Sequence, residues 1–493
     1  MRLALVFNPF KYKIHEENLR IVQKYFGLFP PLSLCWVAAI ARQAGHQVTI
    51  IDARTLNLSM ADVLERLKAF SPDIMGFMMT TYMFPDTLEW IRYLKKHLDI
   101  PVLIGGYNLR VYPEASLSHP EIDYGVIEHA LETVPGLLAA LEGNGDLKAV
   151  PGLVYKRNGE IIRNEPRPVI FEDFPHPARD LLPNELYAEF PTERKNFTVM
   201  VTSLGCPYGC SFCEAGRTAY NPRSPLTVVD EMEECHTRYG IREIDIFDYS
   251  FTADKQRALA ICREIRKRGL DILWACRSRI DVDRELLEEM KKAGCGRIYY
   301  GIESGCQEIL DRVNKGITLR QIRQTVGYTR ELGMKALGFF LIGAPGETKQ
   351  TVKQTVKFAR SLDLEYVQFS KCLAKPLTPL WEQMKQDTGR DYWEDWVRGL
   401  EKDRPLPRPW TELTDAEVDR LAKWAYVKYH SRFLFLVRAT LQVRSFSEFK
   451  RKFLGFMEML FSQENVSRGD DAFIAYNDNA RRLDFYKKIA KYK

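Results

Sequence analysis

The sequence predicts an α/β protein in three parts, and three observations carry that reading. Residues 1–145 alternate short, wholly apolar runs with amphipathic stretches. From about residue 196 the alternation restarts with a longer period. After about 376 the strand-like runs give way to segments rich in Trp, Phe, Arg and Lys. Strands without in-out alternation belong to parallel sheets buried on both faces. The first part, 1–145, therefore reads as a doubly wound, flavodoxin-like parallel sheet. The second, 196–375, reads as a partial (β/α)6 barrel, and the third, 376–493, as a helical region. Between the first two lies a Pro-rich, mixed-charge linker, 146–195, with a strand or two of its own.

In the first part the strands are expected at 3–7, 47–51, 73–79, 101–104 and 123–127, with helices around 32–44, 61–70, 85–97 and 132–141. In the second they are expected at 198–202, 243–247, 272–276, 297–301, 335–342 and 365–370, each pair separated by a helical stretch. Ligands of both architectures gather at the carboxyl ends of the strands. The 493 residues are 45% hydrophobic and 28% charged, with a net charge of +6, too mild to indicate a nucleic-acid partner. Ten cysteines scattered over this length are not a disulfide scaffold and suit a reducing cytosol. No signal peptide or membrane span is visible, so a soluble cytoplasmic protein is expected.

The most informative run is Gly205-Cys206-Pro207-Tyr208-Gly209-Cys210-Ser211-Phe212-Cys213, directly after the first barrel strand. A four-iron cluster normally takes four thiolates. Three close thiols without a fourth leave one iron open to a ligand. Zinc is the competing reading, with Cys235 or His236 as its fourth ligand. The remaining strand ends carry Phe247-Asp248-Tyr249-Ser250, Cys276-Arg277-Ser278-Arg279, Gly301-Ile302-Glu303-Ser304-Gly305 and Ile342-Gly343-Ala344-Pro345-Gly346-Glu347. Singly these are ordinary turns; in order, each at a strand end, they outline a nucleoside site.

Residues 198–372 resemble the barrel of the radical S-adenosylmethionine superfamily. The resemblance implies a [4Fe–4S] cluster on Cys206, Cys210 and Cys213, with S-adenosylmethionine chelated to the open iron and split to a 5′-deoxyadenosyl radical. It sets Phe212 against the adenine, Asp248 at the methionine amino end, and Arg279 or Arg277 on the carboxylate. Glu303 and Ser304 match the ribose position, and Ile342 and Gly343 the strand beside the adenine. For Glu303 and Arg279 a structural ion pair is the alternative. A flavodoxin- or ferredoxin-type electron donor is implied as partner.

Pro30-Pro31-Leu32-Ser33-Leu34, Ala44-Gly45-His46-Gln47-Val48, Ser71-Pro72-Asp73-Ile74 and Ile104-Gly105-Gly106 resemble the cobalamin-binding domain of one branch of that superfamily. Cobalamin is then expected in a crevice of Thr80, Thr81, Tyr82, Gly105, Gly106, Tyr107, Asn108, Glu128 and His129, with Tyr107 or His129 at its lower face. Two departures stand out: Tyr107-Asn108 where the branch has proline and histidine, and Glu128-His129-Ala130-Leu131 where it has a Gly-Glu-Gly-Glu turn. Side chains there could fill the corrin site. The alternative is a radical enzyme that has lost cobalamin and uses this domain as a substrate platform.

Basic and aromatic residues interleave from Lys423 to Phe453. They read as a packed helix with a solvated face, or as a surface for an anionic membrane or an apolar substrate. The domain order resembles the subgroup acting on porphyrins, hopanoids and other isoprenoid or lipid-like molecules. The expected reaction is methylation, or cyclisation by C–C bond formation, at an unactivated carbon of an apolar small molecule. Cys372, and after it Cys306, are candidate hydrogen-atom donors, against the reading of each as a small buried hydrophobe. A zinc-stabilised binding protein on a degenerate barrel is the non-catalytic alternative.

Overall fold

The computed structural model describes residues 1–10, 27–189, 191–400 and 406–432. The interleaved basic and aromatic positions beyond 432 lie outside the described residues.

The amino-terminal strands are β1 (Arg2–Phe7), β2 (Gly27–Leu28), β3 (Gln47–Asp52), β4 (Ile74–Met78), β5 (Val102–Gly105) and β6 (Tyr124–Val126). Five of them form a parallel sheet in the order β3-β1-β4-β5-β6, the doubly wound flavodoxin-like arrangement. Leu5 of β1 pairs with Ile50 on one side and Gly76 on the other. Leu3 to Phe7 are all 5% exposed or less, as a strand covered by helices on both faces requires. The order reverses between β1 and β4, which opens a crevice at their carboxyl ends.

The expected linker is partly sheet. Strands β7 (Leu153–Arg157) and β8 (Glu160–Arg163) form a hairpin that adds to β6 antiparallel, so the amino-terminal sheet is mixed rather than purely parallel. Pairing satisfies the backbone of β6 where the sheet would otherwise end on an open edge. Strand β9 (Ala188–Glu189) pairs with β2.

The second sheet runs in strict chain order: β10 (Phe197–Met200), β13 (Glu243–Ile246), β14 (Leu273–Ser278), β15 (Cys295–Glu303), β16 (Lys335–Ile342) and β17 (Tyr366–Lys371), all parallel. It is an open half-barrel. The two intervening strands, β11 (Ser203–Cys206) and β12 (Thr218–Pro222), form a separate hairpin. The outer helices begin at side-chain caps: Ser224, Asp254, Asp283, Thr318 and Thr348 each accept the N–H three residues on. Their apolar faces bury Ile244, Trp274, Ile298, Tyr300, Phe340 and neighbours on the outside of the barrel. The alternate residues face inward.

The described residues of 376–432 do not pack as a unit of their own. Helices Pro379–Thr388 and Tyr392–Arg398 join a core shared with the amino-terminal domain, where Trp381, Met384 and Trp393 meet Phe84, Leu94 and Tyr112. Helix Asp415–His430 instead packs on the barrel, and the Tyr429 hydroxyl donates to the Leu364 carbonyl at 2.7 Å. Each helix is apolar on one face and buries it on the nearest sheet.

Candidate active site

The cysteine run is the loop of the β11–β12 hairpin, one step removed from the barrel strand that precedes it. Gly205 makes the entry: its φ is +74°, and a Cβ there would lie 1.9 Å from the Ala219 carbonyl oxygen. The Thr218 hydroxyl accepts the Cys206 N–H at 3.0 Å; the Gly216 N–H donates to the Cys213 carbonyl at 3.0 Å and that of Arg217 to Tyr208 at 2.8 Å. A second segment clamps the loop from outside. Ser211 N–H donates to the Val313 carbonyl at 3.1 Å, and Asn314 Nδ2 to the Gly209 carbonyl at 2.7 Å. Cys206 and Cys210 are nearly buried and Cys213 partly so. Burial pushes the Cys213 thiol up to about 11, with the Lys375 charge working against it.

Asp248 braces this loop. Its carboxylate accepts four hydrogen bonds, from the N–H and hydroxyl of both Thr202 and Ser203, at 2.5–3.1 Å. The group expected at the methionine amino end is therefore occupied by the chain itself. The two arginines diverge. Arg277 crosses the barrel interior to Asp245 at 3.1 Å, its guanidinium 3.5 Å over the Phe247 ring. Arg279 turns to the cysteine loop, where it stacks at 3.9 Å on Tyr208 and reaches Cys210 Sγ at 3.7 Å.

Glu303 adopts a left-handed backbone (φ +66°) and pairs with Lys315 at 2.8 Å, both nearly buried. Lys315 lies 6.0 Å over the Phe212 ring. Ser304 is fully buried: its hydroxyl bonds Thr355 at 3.0 Å and accepts the Cys306 N–H, so it shapes the turn rather than facing the crevice. Ile342 points into the outer core. Gly343 has φ +82°, its N–H donates to the Glu347 carboxylate, and its carbonyl accepts the Trp410 indole at 2.9 Å. Burial pushes Glu347 up to about 8.

In the amino-terminal domain Gly105, Gly106, Glu128 and His129 converge on an apolar cavity of about 220 Å³ above the sheet, walled also by Ser33, Trp36, Met78, Phe171, Phe174 and Leu204. Gly106 has φ +125° and passes so close to Met79 that a Cβ would lie 2.5 Å from its carbonyl oxygen. Glu128, in place of the family glycine, keeps a left-handed backbone (φ +67°) and sends its side chain outward to Arg110 at 3.6 Å. The turn thus follows a glycine path without filling the cavity. Burial lowers the His129 pKa. The other expected crevice residues go elsewhere. The Thr80 hydroxyl accepts the Met83 N–H at 3.4 Å, the Thr81 carbonyl accepts the Trp396 indole, and Tyr82 packs edge-on against Trp393. Asn108 is buried and donates to Ser116. Tyr107 spans the two domains, its hydroxyl donating to the Pro376 carbonyl at 3.2 Å.

Cys372 is 1% exposed within the core shared by the two domains, alongside Trp381 and Leu341. Cys306, partly buried, precedes helix Gln307–Arg312 and packs with Ile309, Val313 and Phe212. Cys235 is fully buried in the outer barrel core, which closes it to the cysteine loop as a zinc ligand. Lys315, Tyr208 and the cavity walls Phe171 and Phe174 had no signal in the sequence reading: each acts through a partner far along the chain.

Residues 200–359 match the family described as the Radical SAM superfamily, and residues 20–138 match the B12 binding domain. An uncharacterized methyltransferase of Pyrococcus horikoshii is 36% identical over 78% of this chain and 83% of its own length. The anaerobic magnesium-protoporphyrin IX monomethyl ester cyclase of Rubrivivax gelatinosus is 27% identical over 73% of this chain and 67% of its own. Among solved structures, the radical S-adenosylmethionine methyltransferase TsrM of Kitasatospora setae, with cobalamin and a [4Fe–4S] cluster bound, has the same fold. Its TM-score is 0.62 at 23% identity, over 78% of this chain and 75% of that one. The chain belongs to the radical S-adenosylmethionine superfamily, in the branch with an amino-terminal B12 binding domain. It is an enzyme of the methyltransferase and cyclase group, and its cofactors are a [4Fe–4S] cluster, S-adenosylmethionine and cobalamin.

Proposed function

We propose that this enzyme methylates an unactivated carbon of an apolar, lipid- or isoprenoid-like small molecule, with cyclisation as the related outcome. One observation carries the reading: the two cofactor regions adjoin each other. Tyr107, at the carboxyl end of β5, reaches Pro376 just beyond β17, while Phe212 of the cysteine loop packs into the core shared with the amino-terminal domain. A substrate between them would meet both cofactors with water largely excluded.

Cys206, Cys210 and Cys213 fit the cluster, because a clamped hairpin loop presents three thiols and supplies no fourth. Among the described residues no three Cys, His, Asp or Glu converge on one metal ion. A cluster, whose thiolates bind different irons, does not ask them to. Phe212 and Glu303 with Lys315 fit S-adenosylmethionine, offering a ring and an anchored carboxylate, whereas the Gly343 backbone is taken up by Glu347 and Trp410. Arg277 is the arginine on the barrel interior. The cavity at Gly105, Gly106 and His129 fits the flat aromatic base of the cobalamin tail, and the burial-lowered His129 presents a neutral ring beside it. When bound, the cofactors supply the radical and the methyl group. A flavodoxin- or ferredoxin-type protein delivers the electron.

The substrate class is supported by Tyr249 and Leu377, large side chains 50% and 41% exposed at the barrel mouth. The cyclase of Rubrivivax, whose named substrate is a porphyrin ester, is consistent with it. Cys372 is enclosed, so no hydrogen-atom transfer is assigned to it. The test is anaerobic incubation of the loaded enzyme, S-adenosylmethionine and a reductant with fractionated lipid and aqueous extracts. A methylated or cyclised product in the lipid fraction is expected. A product confined to the aqueous fraction would overturn the substrate class.

A further inference from the structure

We propose that Arg279 is a positioning residue for the cluster, one that sets its reduction potential through a charged hydrogen bond to Cys210, rather than a ligand of the S-adenosylmethionine carboxylate. The proposal rests on the reading of Cys206, Cys210 and Cys213 as cluster ligands.

Four contacts fix the guanidinium against the cysteine loop. Nη1 points at Cys210 Sγ at 3.7 Å, Nη2 donates to the Lys315 carbonyl at 2.5 Å, Nε faces Asp281 at 3.5 Å, and the plane stacks on Tyr208 at 3.9 Å. The residue is 8% exposed. With one nitrogen committed to a carbonyl, one to a carboxylate and a face to a ring, the remaining donor is directed at sulfur. Arg277, two residues earlier on β14, is held on Asp245 instead, so the two side chains divide between the barrel interior and the cysteine loop. A guanidinium is a permanent charge in proteins. Its charge therefore persists through the redox cycle.

Hydrogen bonds to ligating sulfurs and nearby positive charge favour the reduced, more negative cluster and raise its potential. Removing the donor should make the cluster harder to reduce. The same donor helps hold Tyr208 within the loop, but a purely structural contact would change how much cluster is retained and leave the potential of the retained fraction alone.

The experiment uses full-length protein reconstituted with iron and sulfide, without substrate. Electron paramagnetic resonance follows the reduced cluster in a potentiometric titration of wild type, Arg279→Gln, Arg279→Lys and the surface control Arg284→Gln. At a fixed potential the reduced-to-oxidised ratio should fall about tenfold or more in Arg279→Gln, equal to about 59 mV for a one-electron couple. It should fall less in Arg279→Lys and not at all in Arg284→Gln. A change below twofold in Arg279→Gln would overturn the proposal, as would loss of the cluster from both Arg279 variants in folded protein, which would make the residue one of assembly. If wild type itself takes up no iron, it is the cysteine assignment that fails.

Discussion

Asp248 is the residue on which the cysteine hairpin hangs. Four donors from Thr202 and Ser203 end on its carboxylate inside the protein, and each would be left unpaired without it. Orphaning buried donors is expensive, so Asp248→Ala should lower stability by about 2–4 kcal/mol. It should also reduce cluster retention, while Asp248→Asn, which keeps an acceptor, should lie much closer to wild type. Chemical denaturation with iron analysis checks this; an alanine variant of wild-type stability would return Asp248 to a ligand-facing role. Glu347 gives a pH signature. Its folded value of about 8 lies above the ordinary 4.5 because burial disfavours the charge. The folded chain therefore holds this proton more tightly than the unfolded chain. The stabilisation is complete below about pH 4.5 and is lost as pH rises through 8. Melting temperatures measured between pH 5 and 8 should fall less in Glu347→Gln than in wild type, and parallel curves would contradict the assignment.

Among elements, the β11–β12 hairpin controls the cluster site. Gly205→Ala would place a Cβ 1.9 Å from a backbone oxygen at a φ of +74°, so the strand pair must move apart. Loss of the cluster, with about 2 kcal/mol or more of destabilisation, is expected by iron analysis and denaturation. Retained iron would show that the loop tolerates a different entry. The parallel strands of both sheets were legible in the sequence because a strand such as Leu3–Phe7 is apolar throughout. The cysteine run was legible from spacing alone. The hairpin was not, since Thr218–Pro222 carries no alternation and pairs through loop geometry. The Glu303–Lys315 pair and the arginine divergence were hidden for a related reason: a sequence shows that Arg277 and Arg279 follow one strand, not which way each turns. The Phe171 and Phe174 walls lie in a segment read as linker, and their role exists only once it folds over the amino-terminal sheet.

At the scale of the whole molecule, one core joins the two domains through the helices after the barrel. Trp393 is fully buried there, and its indole donates to the Ala374 carbonyl at 2.6 Å. Trp393→Ala should lower stability by about 3–5 kcal/mol. It should also separate the unfolding of the two domains into distinct calorimetric transitions; a single, merely shifted transition would contradict a shared core. The central claim is that this one chain carries two cofactor sites, built on different sheets. Iron and corrin are therefore to be counted on the same protein, wild type beside a variant with Cys206, Cys210 and Cys213 all changed to Ala, after anaerobic loading with iron, sulfide and hydroxocobalamin. Wild type should hold about four irons and about one corrin per chain, and the variant should lose the iron but keep the corrin, because its cavity lies on the other sheet. Wild type without corrin, or a triple variant that still holds its iron, would contradict the claim.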